Sequence, residues 1–195
     1  MASTRDRIID TSAELFRRQG FTGTGVKQIV TEADAPFGSL YHFFPGGKEE
    51  LGATVVRWSG DLYRVLVESV WDERTDVVRG ARHVFTVAAA HLRDSDYADA
   101  CPIATVALEV SSTSEPMRVA CAEVFESWIV AATDRLVGAG VARRRARPLA
   151  IALLSLLEGA FIFCRAARDT EALDAAGAAA TALVRDAVAT ARRRG

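Results

Sequence analysis

The chain is 195 residues long, half of them hydrophobic, with 24 lysines and arginines against 25 aspartates and glutamates. That length buries a sizeable core and accommodates either one medium domain or a small head on a larger body. A formal net charge of −1 excludes bulk attraction to nucleic acid, so any such contact must come from local placement of cations.

Apolar residues recur at helical spacing almost throughout, and no stretch alternates as paired strands with hairpin turns would. The expected fold class is all-α. Ser3 or Thr4 caps a first helix in which Ile9, Ala13 and Phe16 share a face, and Gly20 ends it where a left-handed cap residue is favoured. Thr24 caps a short second helix over 25–33, with Val26, Ile29, Val30 and Ala33 on one side. Pro36 suits the first turn of a third over 36–44, since its missing N–H needs no partner there. Pro45-Gly46-Gly47 breaks that helix, and Lys48-Glu49-Glu50-Leu51 opens a long fourth one reaching about Trp71. Further helices are expected at about 75–93, 102–112, 115–138, 143–166 and 170–193, some nine in all.

Cys101, Cys121 and Cys164 are far apart and form no C-x-x-C pair, which fits reduced thiols buried as small core side chains. The N-terminus lacks the apolar stretch and small-residue cleavage site of a signal peptide. No run approaches the ~18 uninterrupted apolar residues of a membrane span. A soluble, cytoplasmic protein without membrane contact is the expectation.

Two short helices with a tight connection behind a supporting helix have the layout of a three-helix DNA-binding head. The order Gly20-Phe21-Thr22-Gly23-Thr24, Ile29-Val30-Thr31-Glu32-Ala33, Gly38-Ser39-Leu40-Tyr41-His42-Phe43-Phe44-Pro45 and Lys48-Glu49-Glu50-Leu51 resembles the N-terminal signature of the TetR family of transcriptional regulators. The resemblance is specific over about the first quarter of the chain. It divides the protein into a helix-turn-helix domain over 1–47 and a helical ligand-binding and dimerisation domain over 48–195. The glycine pair before Lys48 and the segment Cys101-Pro102-Ile103-Ala104 are similar to one subgroup of that family.

In the third helix, Leu40 and Phe44 can pack on Ile29, Val30 and Phe16, leaving Phe37, Gly38, Ser39, Tyr41 and His42 nearer the outside. A helix face led by small residues can enter a major groove, with hydroxyl, phenol and imidazole available to phosphates or bases. The resemblance assigns DNA contact to these positions, helped by Thr24, Lys27 and Gln28 from the second helix and by Lys48. Taken singly, each of these residues also fits an ordinary helix surface. Phe37 stands where relatives often carry a basic or polar residue, and Phe43 where a phosphate-binding histidine is common. Between Thr24 and Phe44 one lysine faces Glu32 and Asp34, so Arg5, Arg7 and Lys48 would have to supply much of the phosphate contact, with a shallow salt dependence.

The last two helices carry apolar stripes: Leu149, Leu153, Leu156, Leu157, Ala160 and Phe161, then Leu173, Ala176, Ala180, Leu183, Val184 and Ala187. These stripes either close one chain's own core or meet a second copy in a four-helix bundle. The resemblance implies a homodimer, with two heads ~34–36 Å apart on an operator duplex. Trp58, Tyr63, Phe85, His91, Cys121, Phe125, Trp128 and Phe161 are the expected lining of an apolar site for a small-molecule effector. By resemblance, effector binding releases a repressor from a palindromic operator, with the fourth helix as the lever.

An enzyme finds no support: Gly23-x-Gly25 is not followed by glycine at Gln28, and neither a phosphate loop nor G-x-S-x-G occurs. His83 and His91 could meet Glu109 in a metal site, but without an E-x-x-H motif no metal or cofactor is expected. Arg143-Arg144-Arg145 and Arg192-Arg193-Arg194 fit helix ends answering the helix dipole and solvent. The alternative reading is a helical small-molecule or partner-binding protein whose head no longer binds DNA.

Overall fold

The computed structural model describes residues 2–71, 76–99 and 101–193; the expected helix start at 75 and Arg194 of the terminal basic run lie outside them. Among the described residues there are nine helices and no strand, as the periodicity predicts. They are α1 (Thr4–Gln19), α2 (Val26–Glu32), α3 (Phe37–Phe43), α4 (Gly47–Val70), α5 (Val77–Asp94), α6 (Pro102–Val110), α7 (Glu115–Gly138), α8 (Arg143–Ala167) and α9 (Glu171–Arg192).

Local chemistry accounts for most of the boundaries. Ser3 and Asp6 form a reciprocal capping box at the start of α1, and Gly20, at φ 78°, terminates it. The Asp76 carboxylate accepts from the N–H groups of Val78 and Arg79 at the start of α5, and the Cys101 sulfur accepts from Ala104 N–H in α6. Two caps differ from expectation. Gly25, not Thr24, is the N-cap of α2, and it provides no side-chain bond. Pro36 sits at the N-cap of α3 rather than inside its first turn.

The chain divides into two compact units. One comprises the residues up to Leu62 together with Cys101–Phe125, so α6 and the first half of α7 group with the three N-terminal helices. Its core holds Ile8, Phe16, Ile29, Leu40, Phe44, Leu51, Ile103 and Met117, all almost fully buried. Gly52 and Gly60 of α4 lie directly against Met117 and Val124 of α7.

The other unit comprises Tyr63 to residue 99 and Glu126 onward, with α5, α8 and α9 packed around one core. Here Gly177 permits a close approach of two helices: a Cβ on it would stand 2.9 Å from the Phe85 Cβ, so α9 meets α5 almost backbone to side chain. Trp71 closes one end by lying over Gly80 and donating its indole N–H to the Val77 carbonyl at 3.0 Å.

Leu153, Ala160, Leu173, Ala176, Ala180, Val184 and Ala187 are buried within this chain's own core. What α8 leaves uncovered is its opposite face, with Ile151, Ile162 and Phe163 exposed, and on α9 Leu183 is 43% exposed. By length and composition α8 is apolar enough to cross a membrane, and 22% of its most apolar window is buried. Ser155 and Glu158 interrupt it, so it is not an uninterrupted apolar run of the kind whose absence the sequence shows.

Candidate nucleic-acid interface

The head is built by burying one side of α3. Leu40 is 0% and Phe44 1% exposed, while Phe37 is 56% and Tyr41 49% exposed on the other side. Arg7 of α1 clamps the α2–α3 turn, donating to the carbonyls of Ala33 at 3.0 Å and Asp34 at 2.9 Å. Asp34 adopts φ 48°, the left-handed region, so this side-chain clamp holds a conformation that a non-glycine residue seldom adopts.

Of the nine expected DNA-contacting residues, Lys27, Phe37, Gly38, Tyr41 and His42 are exposed, and Gln28, Ser39 and Lys48 are half-buried. The Phe37 and Tyr41 ring centroids lie 6.0 Å apart, giving α3 an aromatic rather than cationic leading edge. Nothing stands within 4 Å of a Cβ built on Gly38, so the absent side chain leaves open space beside the helix rather than relieving an internal clash.

Thr24 requires correction. Its side chain is buried, its hydroxyl donating to the Gly20 carbonyl at 2.7 Å and accepting from Gln19 Nε2 at 3.2 Å. The short Gly20–Gly25 turn folds it inward to satisfy a helix-end carbonyl, so it braces the interface instead of facing it. Gln28 is similarly engaged, accepting from Gln19 and donating to Glu32. Gln19, which the sequence reading passed over, joins the two; its position at the end of α1 was the available signal.

The expected phosphate cations are also partly committed. Arg7 serves the turn, and the Arg5 guanidinium lies 5.5 Å from the Phe44 ring centroid. Lys48 Nζ sits 4.2 Å from the Phe21 ring centroid. Burial lowers the Lys48 pKa from the ordinary lysine value, and the Glu109 charge opposes that shift. The face is amphipathic and weakly charged, able to press aromatic and hydroxyl groups against a duplex.

The eight residues expected to hold an effector are divided between the units. Trp58, Cys121 and Phe125 fall in the first; Tyr63, Phe85, His91, Trp128 and Phe161 fall in the second. Phe85 is core, wedged against Gly177, so its ring closes a helix contact; Cys121 is buried; Trp58 and His91 are exposed. Burial pushes the Cys121 thiol up to about 11. A cleft of about 380 Å³ in the second unit is lined by Val130, Thr133, Arg143, Arg144, Arg147 and Pro148, none of them among the eight.

Arg143, Arg144 and Arg145 open α8, where the dipole repels cations, so that run does not answer the dipole. Arg143 pairs instead with Asp134 at 2.7 Å, and Arg147 pairs with both oxygens of Glu126 at 2.8 Å. Of the residues weighed for a metal site, His83 and His91 belong to one unit and Glu109 to the other, where it accepts from Thr22 N–H at 2.8 Å. Among the described residues, no group of three or more His, Cys, Asp or Glu side chains is placed to hold a metal ion.

An exposed short helix on a clamped turn, carried by a helical body, defines a helix-turn-helix transcriptional regulator. Residues 8–54 match the bacterial regulatory proteins of the tetR family, and residues 77–179 match the C-terminal domain of LmrA/YxaF-like transcriptional regulators. The chain is 34% identical over 166 residues to the uncharacterized HTH-type transcriptional regulator YxaF of Bacillus subtilis, covering 85% of this chain and 87% of that protein. With HTH-type transcriptional regulator LmrA of the same organism it shares 29% over 170 residues, 87% and 90% of the two chains. The crystal structure of regulatory protein TetR from Rhodobacter sphaeroides superposes with a TM-score of 0.83 at 19% identity, covering 93% of this chain and 99% of that one. The chain belongs to the TetR family of transcriptional regulators, in its LmrA/YxaF-like branch. The members of this family are regulators and not enzymes.

Proposed function

We propose that this protein is a cytoplasmic repressor that binds a palindromic operator as a homodimer and releases it when a small apolar or aromatic molecule occupies its helical body. The observation that carries the DNA-binding half is the outer face of α3, where Phe37, Gly38, Tyr41 and His42 are exposed while Leu40 and Phe44 are buried. Gly38 allows close approach to base edges, Phe37 offers apolar contact to a thymine methyl, and Ser39, Tyr41 and His42 offer polar contacts, with Lys27, Gln28 and Lys48 at the flank. Thr24 acts behind them as a brace.

Support for the homodimer comes from α8. Ile151 and Ile162 recur on one exposed helical face, with Ser155 and Glu158 between them, and nothing stands within 4 Å of a Cβ built on the neighbouring Gly159. Most soluble oligomers are symmetric homo-oligomers, and exposed isoleucines of this kind are suited to meet their own copies across a twofold axis. Regulators of this family are typically ligand-responsive repressors, which gives the release its sign. The fourth helix is contributed to both units, so a shift at its far end would carry to Lys48 at its start.

The test is selection of bound fragments from a genomic duplex pool by the full-length protein at low salt, with sedimentation of the same preparation. A shared palindrome bound by a dimer supports the proposal. Recovery of no common sequence favours the reading in which the head no longer binds DNA, and a monomer in solution removes the two-headed geometry.

A further inference from the structure

Glu109 stands in the last turn of α6, the end at which the helix dipole disfavours an acid. It is nonetheless held there by contacts to a segment 87 residues away in sequence. Its Oε2 accepts from Thr22 N–H at 2.8 Å, and its Oε1 would lie 1.8 Å from a Cβ on Gly20. Gly20 thus leaves the space the carboxylate fills, besides adopting φ 78°. On the same turn, Phe21 packs edge-on against Phe16 with centroids 5.4 Å apart, and the Lys48 ammonium rests over its ring at 4.2 Å. Glu109 and the Lys48 ammonium, from two other parts of the chain, are therefore both seated on the Gly20–Thr22 turn that carries Phe21.

We propose that Glu109 is a positioning residue for DNA binding: it seats the turn after α1 and holds the Lys48 ammonium beside Phe21, compensating its charge until a phosphate takes over. The inference rests on the reading of Lys48 as a phosphate contact. Lys48 then approaches the duplex as a partly neutralised cation on a fixed platform, which lowers attraction to random sequence while keeping the lysine in register with α3. A head already poor in cations gains discrimination this way, because the sequence-independent part of affinity scales with the phosphates neutralised.

The experiment measures the salt dependence of full-length protein binding to the duplex recovered by selection and to a random-sequence duplex. Wild type is compared with Glu109→Gln, Lys48→Met, the double variant and Glu109→Ala. The amide of Glu109→Gln can still accept from Thr22 N–H but carries no charge. Random-duplex affinity is expected to rise about threefold, with the slope of log affinity against log salt steeper by up to ~0.9. In the Lys48→Met background the same change should have no effect on either quantity. Glu109→Ala loses the acceptor as well, and its affinity for the selected duplex should fall about fivefold below that of Glu109→Gln. Melting curves separate this loss from unfolding. If Glu109→Gln acts equally with and without Lys48, or leaves the slope unchanged, the proposal is overturned while DNA binding stands. If wild type recovers no duplex at all, DNA binding falls and this inference with it.

Discussion

The two units solve opposite problems with similar helices. In the first, short helices contribute little apolar area each, and the turns are held by side chains spent on backbone: Arg7 on Ala33 and Asp34, Thr24 on Gly20, Glu109 on Thr22. In the second, long helices pack through small residues, Gly80 under Trp71 and Gly177 against Phe85. The contrast teaches why each unit exposes what it does. The head keeps a small, rigid, mixed face outward, whereas the body's surplus is an apolar helix side suited to another copy of itself.

The largest expected effect breaks that contrast at α8. Replacing Ile162 and Phe163 together by aspartate should raise the dissociation constant of the proposed homodimer at least about 100-fold, read by sedimentation equilibrium, because buried hot-spot side chains each contribute roughly 2 kcal/mol or more. An unchanged dimer would show that the exposed side of α8 is not the surface copies share.

Next, Gly177→Val should lower stability by about 1–3 kcal/mol in denaturant melts, since its methyls have no room beside Phe85. Full stability in that variant would mean that α5 and α9 are not in tight contact.

Within the head, Thr24→Val and Tyr41→Phe should separate bracing from reading. The first removes a buried hydroxyl bonded on two sides and should cost about 1 kcal/mol of stability. The second should leave the melt unchanged and weaken operator binding a few-fold, as expected for one lost hydrogen bond of about 0.5–1.5 kcal/mol. The reverse pattern would exchange the two roles.

The smallest effect concerns Cys121, whose thiol is pushed up to about 11 by burial. The folded protein holds this proton more tightly than the unfolded chain. Its contribution to stability is therefore fully present below the ordinary thiol range and is lost as pH rises through about 11. At pH 8, iodoacetamide should modify Cys121 far more slowly in native than in urea-unfolded protein; equal rates would contradict the burial.

By itself, the sequence determined what depends on neighbours along the chain. Helical periodicity, the Ser3 cap, the Gly20 stop and the inward and outward sides of α3 all follow from residues within two or three turns of one another, so they were legible. It also showed that α8 and α9 had apolar sides. Only tertiary structure decided which neighbour covers each side, burying Leu153 and Val184 in this chain's own core and leaving Ile151 and Ile162 outside. It likewise turned Thr24 inward, tied Arg7 to the turn and brought Glu109 to Thr22. A spacing pattern records that a side chain is apolar or charged, but its partner lies at a distance in sequence that only packing closes, and the roles of these residues belong to the partner.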